Sequence, residues 1–107
     1  METPAKPRPY RFDMGEVVHH KRYGYRGVVY ERDPRCLADE KWYQKNQTQP
    51  DRNQPWYHVL VDGSGHTTYV AECNLERDST RGPVTHPLVG HFFRSFVAGR
   101  YYAQNLN

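Results

Sequence analysis

The stretch that most narrows the fold is WYHVLVDGSGHTTYVAE, residues 56–72. Trp56, His58, Leu60 and Asp62 alternate with Tyr57, Val59 and Val61, the two-residue period of a β-strand. GSG at 63–65 supplies a turn, and HTTYVAE, 66–72, returns as a second strand. Everything else in the chain has to be placed around this hairpin.

A second hairpin is legible upstream. Val17 and Val18 mark a strand over Gly15 to Lys21, and YRGVVYER, residues 25–32, is rich in β-branched and aromatic residues. Only RYG links them, and Gly24 can take the positive φ that such a turn requires. Gly27, inside a strand, implies a bulge, a sharp bend or the close approach of another backbone. A short closing strand is expected over Asn74 to Arg77.

Between the hairpins, Asp33 to Pro55 is polar and unusually long for a loop in a small domain, with a short helical turn around Leu37 to Tyr43. Toward the C-terminus, Leu88, Phe92 and Phe96 recur every four residues, joined by Val89, Phe93 and Val97. That spacing predicts a helix capped by Thr85 or His86, opened by Pro87 and ended at Gly99. The sum is a mainly β fold: a small SH3-like antiparallel barrel of about five strands with a C-terminal helix, since a small sheet can remove its edges by curling.

With 107 residues the chain has room for one domain, expected over 12–107. Residues 1–11, with Pro4, Pro7, Pro9, Lys6, Arg8 and Arg11, read as a disordered basic arm. Hydrophobic content is 36% and mean hydropathy −1.00, so the core is lean. Nine tyrosines against four phenylalanines suit half-buried sheet faces and binding surfaces.

Net charge is +3, and its distribution says more than its size. Lys6, Arg8, Arg11, Lys21, Arg22 and Arg26 are offset in that stretch only by Asp13 and Glu16, whereas acids and bases balance from Cys36 onward. Cys36 and Cys73 form no CxxC pair and read as reduced thiols. METPAKPRPY lacks the apolar stretch of a secretory signal, and no apolar run is long enough to span a membrane. A cytoplasmic protein without membrane attachment is expected.

The motifs of catalysis are missing. No HExxH, CxxC…HxxxH, GxSxG or phosphate-binding glycine loop occurs, so no catalytic residue and no metal ligand set is assigned. His58, His66 and Cys73 could approach across the hairpin but lack diagnostic spacing. The stronger candidate is HHKRYGYRGVVYERDP, residues 19–34. Lys21, Arg22 and Arg26 bracket a turn and can reach phosphates, and Tyr23 offers a ring for stacking, aided by Arg8 and Arg11. The bland reading of the same turn is a solvated loop whose rings cover the core. A second candidate is a peptide or partner groove lined by Trp42, Trp56 and Tyr57, with the polar loop 39–55 selecting the partner.

Three ordered blocks carry a resemblance. Gly15, Val18, His20, Gly24, Tyr25, Gly27, Val28 and Val29 open it, followed by Asp33 and Pro34. Pro55, Trp56, Tyr57, Val59, Leu60 and Val61 form the second block. Tyr69, Val70, Ala71, Glu72, Asn74 and Leu75 form the third. In this pattern the chain resembles the YccV-like, or HspQ-type, hemimethylated-DNA-binding domain over residues 12–77. THPLVGHFFRSF, residues 85–96, resembles the form of that domain appended to certain F-box proteins. The resemblance implies a barrel without cofactor or catalysis and duplex DNA, with a preference for hemimethylated sites, as partner. In heat-shock members it implies a stress-response role in protein quality control, with a protease or its clients as alternative partners. Oligomeric state, a homo-oligomer included, stays open.

Overall fold

Paired valines set the architecture. Val17 and Val18, Val28 and Val29, and Val59 and Leu60 place adjacent apolar side chains on opposite faces, so the sheet needs cover on both sides. The computed structural model describes residues 9–104 and shows how that cover is provided. Strands β1 (Val17–His20), β2 (Arg26–Asp33), β3 (Trp56–Val61), β4 (Thr67–Ala71) and β5 (Leu75–Arg77) form one antiparallel sheet in the order β4-β3-β2-β1-β5.

Strands β4 and β5 are opposite edges of that sheet, yet only a 3-10 turn, Glu72–Asn74, joins them. In a flat sheet, four strand spacings would separate the edges by about 19 Å. The four steps from Ala71 to Leu75 span at most about 14 Å. The sheet therefore has to curl into a barrel-like form. Phe12, Val18, Val29, Tyr57, Val59, Val70 and Leu75 fill one core. Val17, Val28 and Leu60 form a second core on the other face, closed by Val84, Phe93 and Tyr101.

Two expected glycine roles resolve. Gly24 sits in the β1–β2 turn at φ +77°. Gly27 marks a close approach: a Cβ there would collide with the Val59 side chain and the Leu60 carbonyl. The bulge in β2 lies further along, between Val29 and Glu31.

The helix expected over residues 87–98 is corrected. Helix α2 is a single turn, Val89–Phe92, after which Phe93 is extended. Strands β6 (Ser95–Val97) and β7 (Arg100–Tyr102) then pair as a hairpin around Ala98 and Gly99, both at positive φ. Leu88 and Val97, assigned to an apolar helical face, are 41% and 46% exposed. The cause is tertiary. Tyr101 N–H donates to Gly15 O at 2.9 Å and Glu16 bridges Arg100, so β7 is held against the start of β1. Phenylalanine and valine fit a strand as well as a helix, and this docking decides between them. The expected cap at Thr85 or His86 is corrected as well: Leu88 is the N-cap, without a side-chain cap bond, and His86 Nδ1 instead accepts from Leu88 N–H at 3.1 Å.

The polar loop carries helix α1, Glu40–Gln44, capped by Asp39, whose carboxylate accepts from Trp42 N–H at 2.8 Å. Of the expected N-terminal arm, residues 1–8 lie outside the described residues. Tyr10 packs on the inner core, and Arg11 N–H donates to Tyr57 Oη and Glu72 Oε2. No helix among the described residues is long and apolar enough to cross a membrane.

Candidate nucleic-acid interface

The β1–β2 turn is built around a histidine. His20 N–H donates to Tyr25 O at 2.8 Å, and Gly24 N–H donates to His20 O at 2.9 Å. The N–H groups of Arg22 and Tyr23 both donate to His20 Nδ1, at 3.1 and 3.0 Å. An imidazole nitrogen that accepts two such bonds carries no proton, so the ring proton sits on Nε2. The ring lies between Tyr23 and Tyr25, with centroids 4.7 and 5.1 Å away. Burial lowers the His20 pKa, with the charges of His19 and Arg22 adding to the effect. Lys21 and Arg22 project from this clamped turn into solvent, and neither pairs with a carboxylate among the described residues. Tyr23 is 55% exposed, with the Arg22 guanidinium 5.8 Å from its centroid.

Arg26 stands apart from its neighbours. Its Nε donates to Asp78 at 3.0 Å and its Nη1 to Asp62 at 2.7 Å. Its remaining donors reach Pro83 O and Gly82 O. Burial pushes the Asp78 carboxyl up, but the Thr80 hydroxyl and the Arg26 guanidinium outweigh it and hold the pKa below its usual value. Arg26 thus ties β2 to Asp62 and to the 78–83 segment, with all three guanidinium nitrogens bonded. Arg11 is exposed, its guanidinium 5.4 Å from the Phe12 ring. Arg8 lies outside the described residues.

Trp42, Trp56 and Tyr57, expected to line one groove, part company in the structure. Tyr57 is fully buried in the inner core, its hydroxyl donating to Glu72 Oε2 at 2.7 Å, and it cannot line a groove. Burial, with the Glu72 carboxylate, raises its pKa. Trp56 is buried at the groove floor, and Trp42 forms a wall 5.6 Å from Tyr69, ring to ring. The groove, about 490 Å³, also takes in His20, Tyr23, Tyr25 and residues 67–71 of β4. The Tyr23 hydroxyl reaches Gln47 at 3.4 Å, linking the turn to the polar loop.

Sequence reasoning passed over Tyr25, His58 and Tyr69 as groove elements, and Asp33 as the carboxylate behind them. Asp33 Oδ2 accepts from the Tyr69 hydroxyl at 2.7 Å and contacts His58 Nε2 at 3.0 Å. The His58 ring stacks on Tyr69 at 4.4 Å. The available signal was register: with strands 56–61 and 67–71 paired, His58 must face Tyr69. His66 and Cys73 are not drawn into this cluster. The His66 carbonyl contacts His86 Nε2 at 2.9 Å, and Cys73 is an exposed free thiol.

Comparison with known proteins gives this geometry a family. Residues 10–100 match the family described as hemimethylated DNA-binding protein YccV like. Over 104 residues the chain is 34% identical to F-box only protein 21 of Mus musculus and 33% identical to those of Homo sapiens and Pongo abelii. These alignments cover 94% of the chain but only 16–17% of each relative, so the chain spans about one sixth of their length. Three ordered sequence blocks, a curled five-stranded sheet and a match across nearly the whole chain agree: the protein belongs to the YccV-like family of hemimethylated DNA-binding proteins.

Proposed function

We propose that this chain binds duplex DNA through the β1–β2 turn and prefers hemimethylated sites. The observation that carries the reading is the contrast within one turn. Lys21 and Arg22 point outward from a backbone held rigid by His20, while Arg26 is consumed by Asp62 and Asp78. Unpaired cations on a clamped backbone can neutralise phosphates without first giving up an ion pair. Tyr23 supports the methyl preference. A methyl mark is an apolar group in the major groove and needs an apolar contact, and this exposed ring stands beside both cations.

Fluorescence anisotropy on one duplex, prepared unmethylated, hemimethylated and fully methylated, tests both parts. Tighter binding of the hemimethylated duplex, with a gap that survives physiological salt, is the expected result. Equal binding of all three that vanishes with salt would reduce the turn to a general polyanion surface.

A further inference from the structure

Strand β4 is an outer edge of the sheet, paired on one side only. Bonds at the two ends of its ladder show which backbone groups face β3. Val61 N–H donates to His66 O at 3.1 Å, and Glu72 N–H donates to Pro55 O at 2.9 Å. In an antiparallel ladder, bonded pairs recur at every second residue. The register Val59↔Thr68 and Tyr57↔Val70 therefore gives Thr68 and Val70 the bonds to β3. Thr67 and Tyr69 turn their N–H and C=O groups the other way, where no backbone or side-chain partner among the described residues meets them, while Ala71 is buried and its C=O starts the 3-10 turn Glu72–Asn74.

The other way is into the groove. Residues from both faces of β4 line it, Thr68 and Val70 as well as Tyr69 and Ala71, so it runs along the strand edge. Tyr25 stands on one side, its hydroxyl 2.8 Å from Thr68 Oγ1, and Trp42 stands over Tyr69 on the other. The edge itself, TTYVA, carries no lysine, proline or other charge of the kind that shields exposed strands. It is a seam left open where the sheet curls without a β4–β5 ladder.

We infer that this seam is a peptide site, in which an extended segment of a partner protein adds to β4 as a further strand. A row of alternating donors and acceptors is matched by another peptide backbone, whereas a phosphate backbone offers acceptors alone. Five strand residues set a footprint of about five ligand residues, roughly 16 Å long. The ligand's side chains alternate between a Tyr25 wall and a Trp42 wall, so apolar or aromatic residues suit both sets. Lys21 and Arg22 at the mouth favour an acidic residue just outside the footprint.

The test begins with displayed peptides of about eight residues, β-branched or aromatic at the centre and acidic at one end, selected on the full chain. A recovered peptide is synthesised and added to the protein while amide exchange is followed by NMR. Exchange at Thr67 and Tyr69 slows by about tenfold or more, that of Thr68 and Val70 stays as it was, and N-methylation of alternate peptide amides weakens binding by about tenfold. Thr67→Pro removes one outward N–H from an exposed residue and spares the ladder, so it weakens the peptide without moving the thermal midpoint. A selection that yields no binder overturns the inference, as does a binder indifferent to N-methylation or one that leaves those two amides exchanging at their free rates.

Discussion

Two aromatic clusters lie against this sheet and differ in kind. On the C-terminal side Phe92, Phe93, Phe96 and Tyr101 stack within 4.5–6.4 Å of one another and close the second core. On the groove side Tyr23, Tyr25, Trp42 and Tyr69 stand half-buried or exposed around an open channel. The first is mostly phenylalanine, which has no polar atom to satisfy and gains most from full burial. In the second, the hydroxyls of Tyr23, Tyr25 and Tyr69 are bonded to Gln47, Thr68 and Asp33, which fixes each ring. The closed core and the open groove thus use similar rings with different tips.

The comparison is broken most severely from the closing side. Phe93→Ala removes a buried ring between Val84 and Tyr101 and is expected to cost about 3–5 kcal/mol, read as a lower denaturant midpoint. Next comes Arg26→Ala, which strands Asp78 without its ionic partner and should cost about 3 kcal/mol. Wherever Arg26→Ala remains folded, duplex affinity should be unchanged. A loss of affinity at full folding would return Arg26 to the contact surface.

A smaller effect sits in the turn. His20→Ala leaves the N–H groups of Arg22 and Tyr23 without their acceptor and should cost about 1–2 kcal/mol at neutral pH. The pH dependence has a definite sign. The folded-state pKa of His20 is depressed below 6.5, so the unfolded chain takes up the proton first as pH falls. The His20 contribution is complete above about pH 6.5 and is lost as pH drops below it toward the folded value. Urea midpoints at pH 7.5 and 5.5 should differ for the natural protein, and the part of that difference due to His20 should vanish in His20→Ala.

The smallest stability effect belongs to the residues that matter most for the proposed contact. Lys21→Ala with Arg22→Ala should change stability by no more than about 0.5 kcal/mol, since both side chains are exposed and unpaired. The same pair should lower the salt dependence of duplex binding by about 1.8 in slope, roughly 0.9 for each lost phosphate contact. Unchanged binding would move the interface elsewhere on the barrel.

Local pattern carried much of this molecule. Both central hairpins, the turn glycine at 24, the closing strand near Leu75 and the exposed Lys21–Tyr23 tip follow from alternation and turn chemistry, which act over a few residues. The C-terminal segment escaped because its four-residue apolar spacing satisfies a helix. The contacts of Tyr101 with Gly15 and of Arg100 with Glu16, across most of the chain, favour the hairpin instead. Arg22 and Arg26 are equivalent cations in sequence, and their fates separate when Asp62 and Asp78 fold around one of them. Tyr57 and Tyr69 look alike as strand tyrosines, yet one enters the closed core and the other the open seam. Strand periodicity alone thus determined that this chain builds a small curled sheet with a basic, tyrosine-rich turn. Which charges are spent on the fold and which edge stays open was decided by tertiary structure, because pairing and burial depend on neighbours distant in the chain.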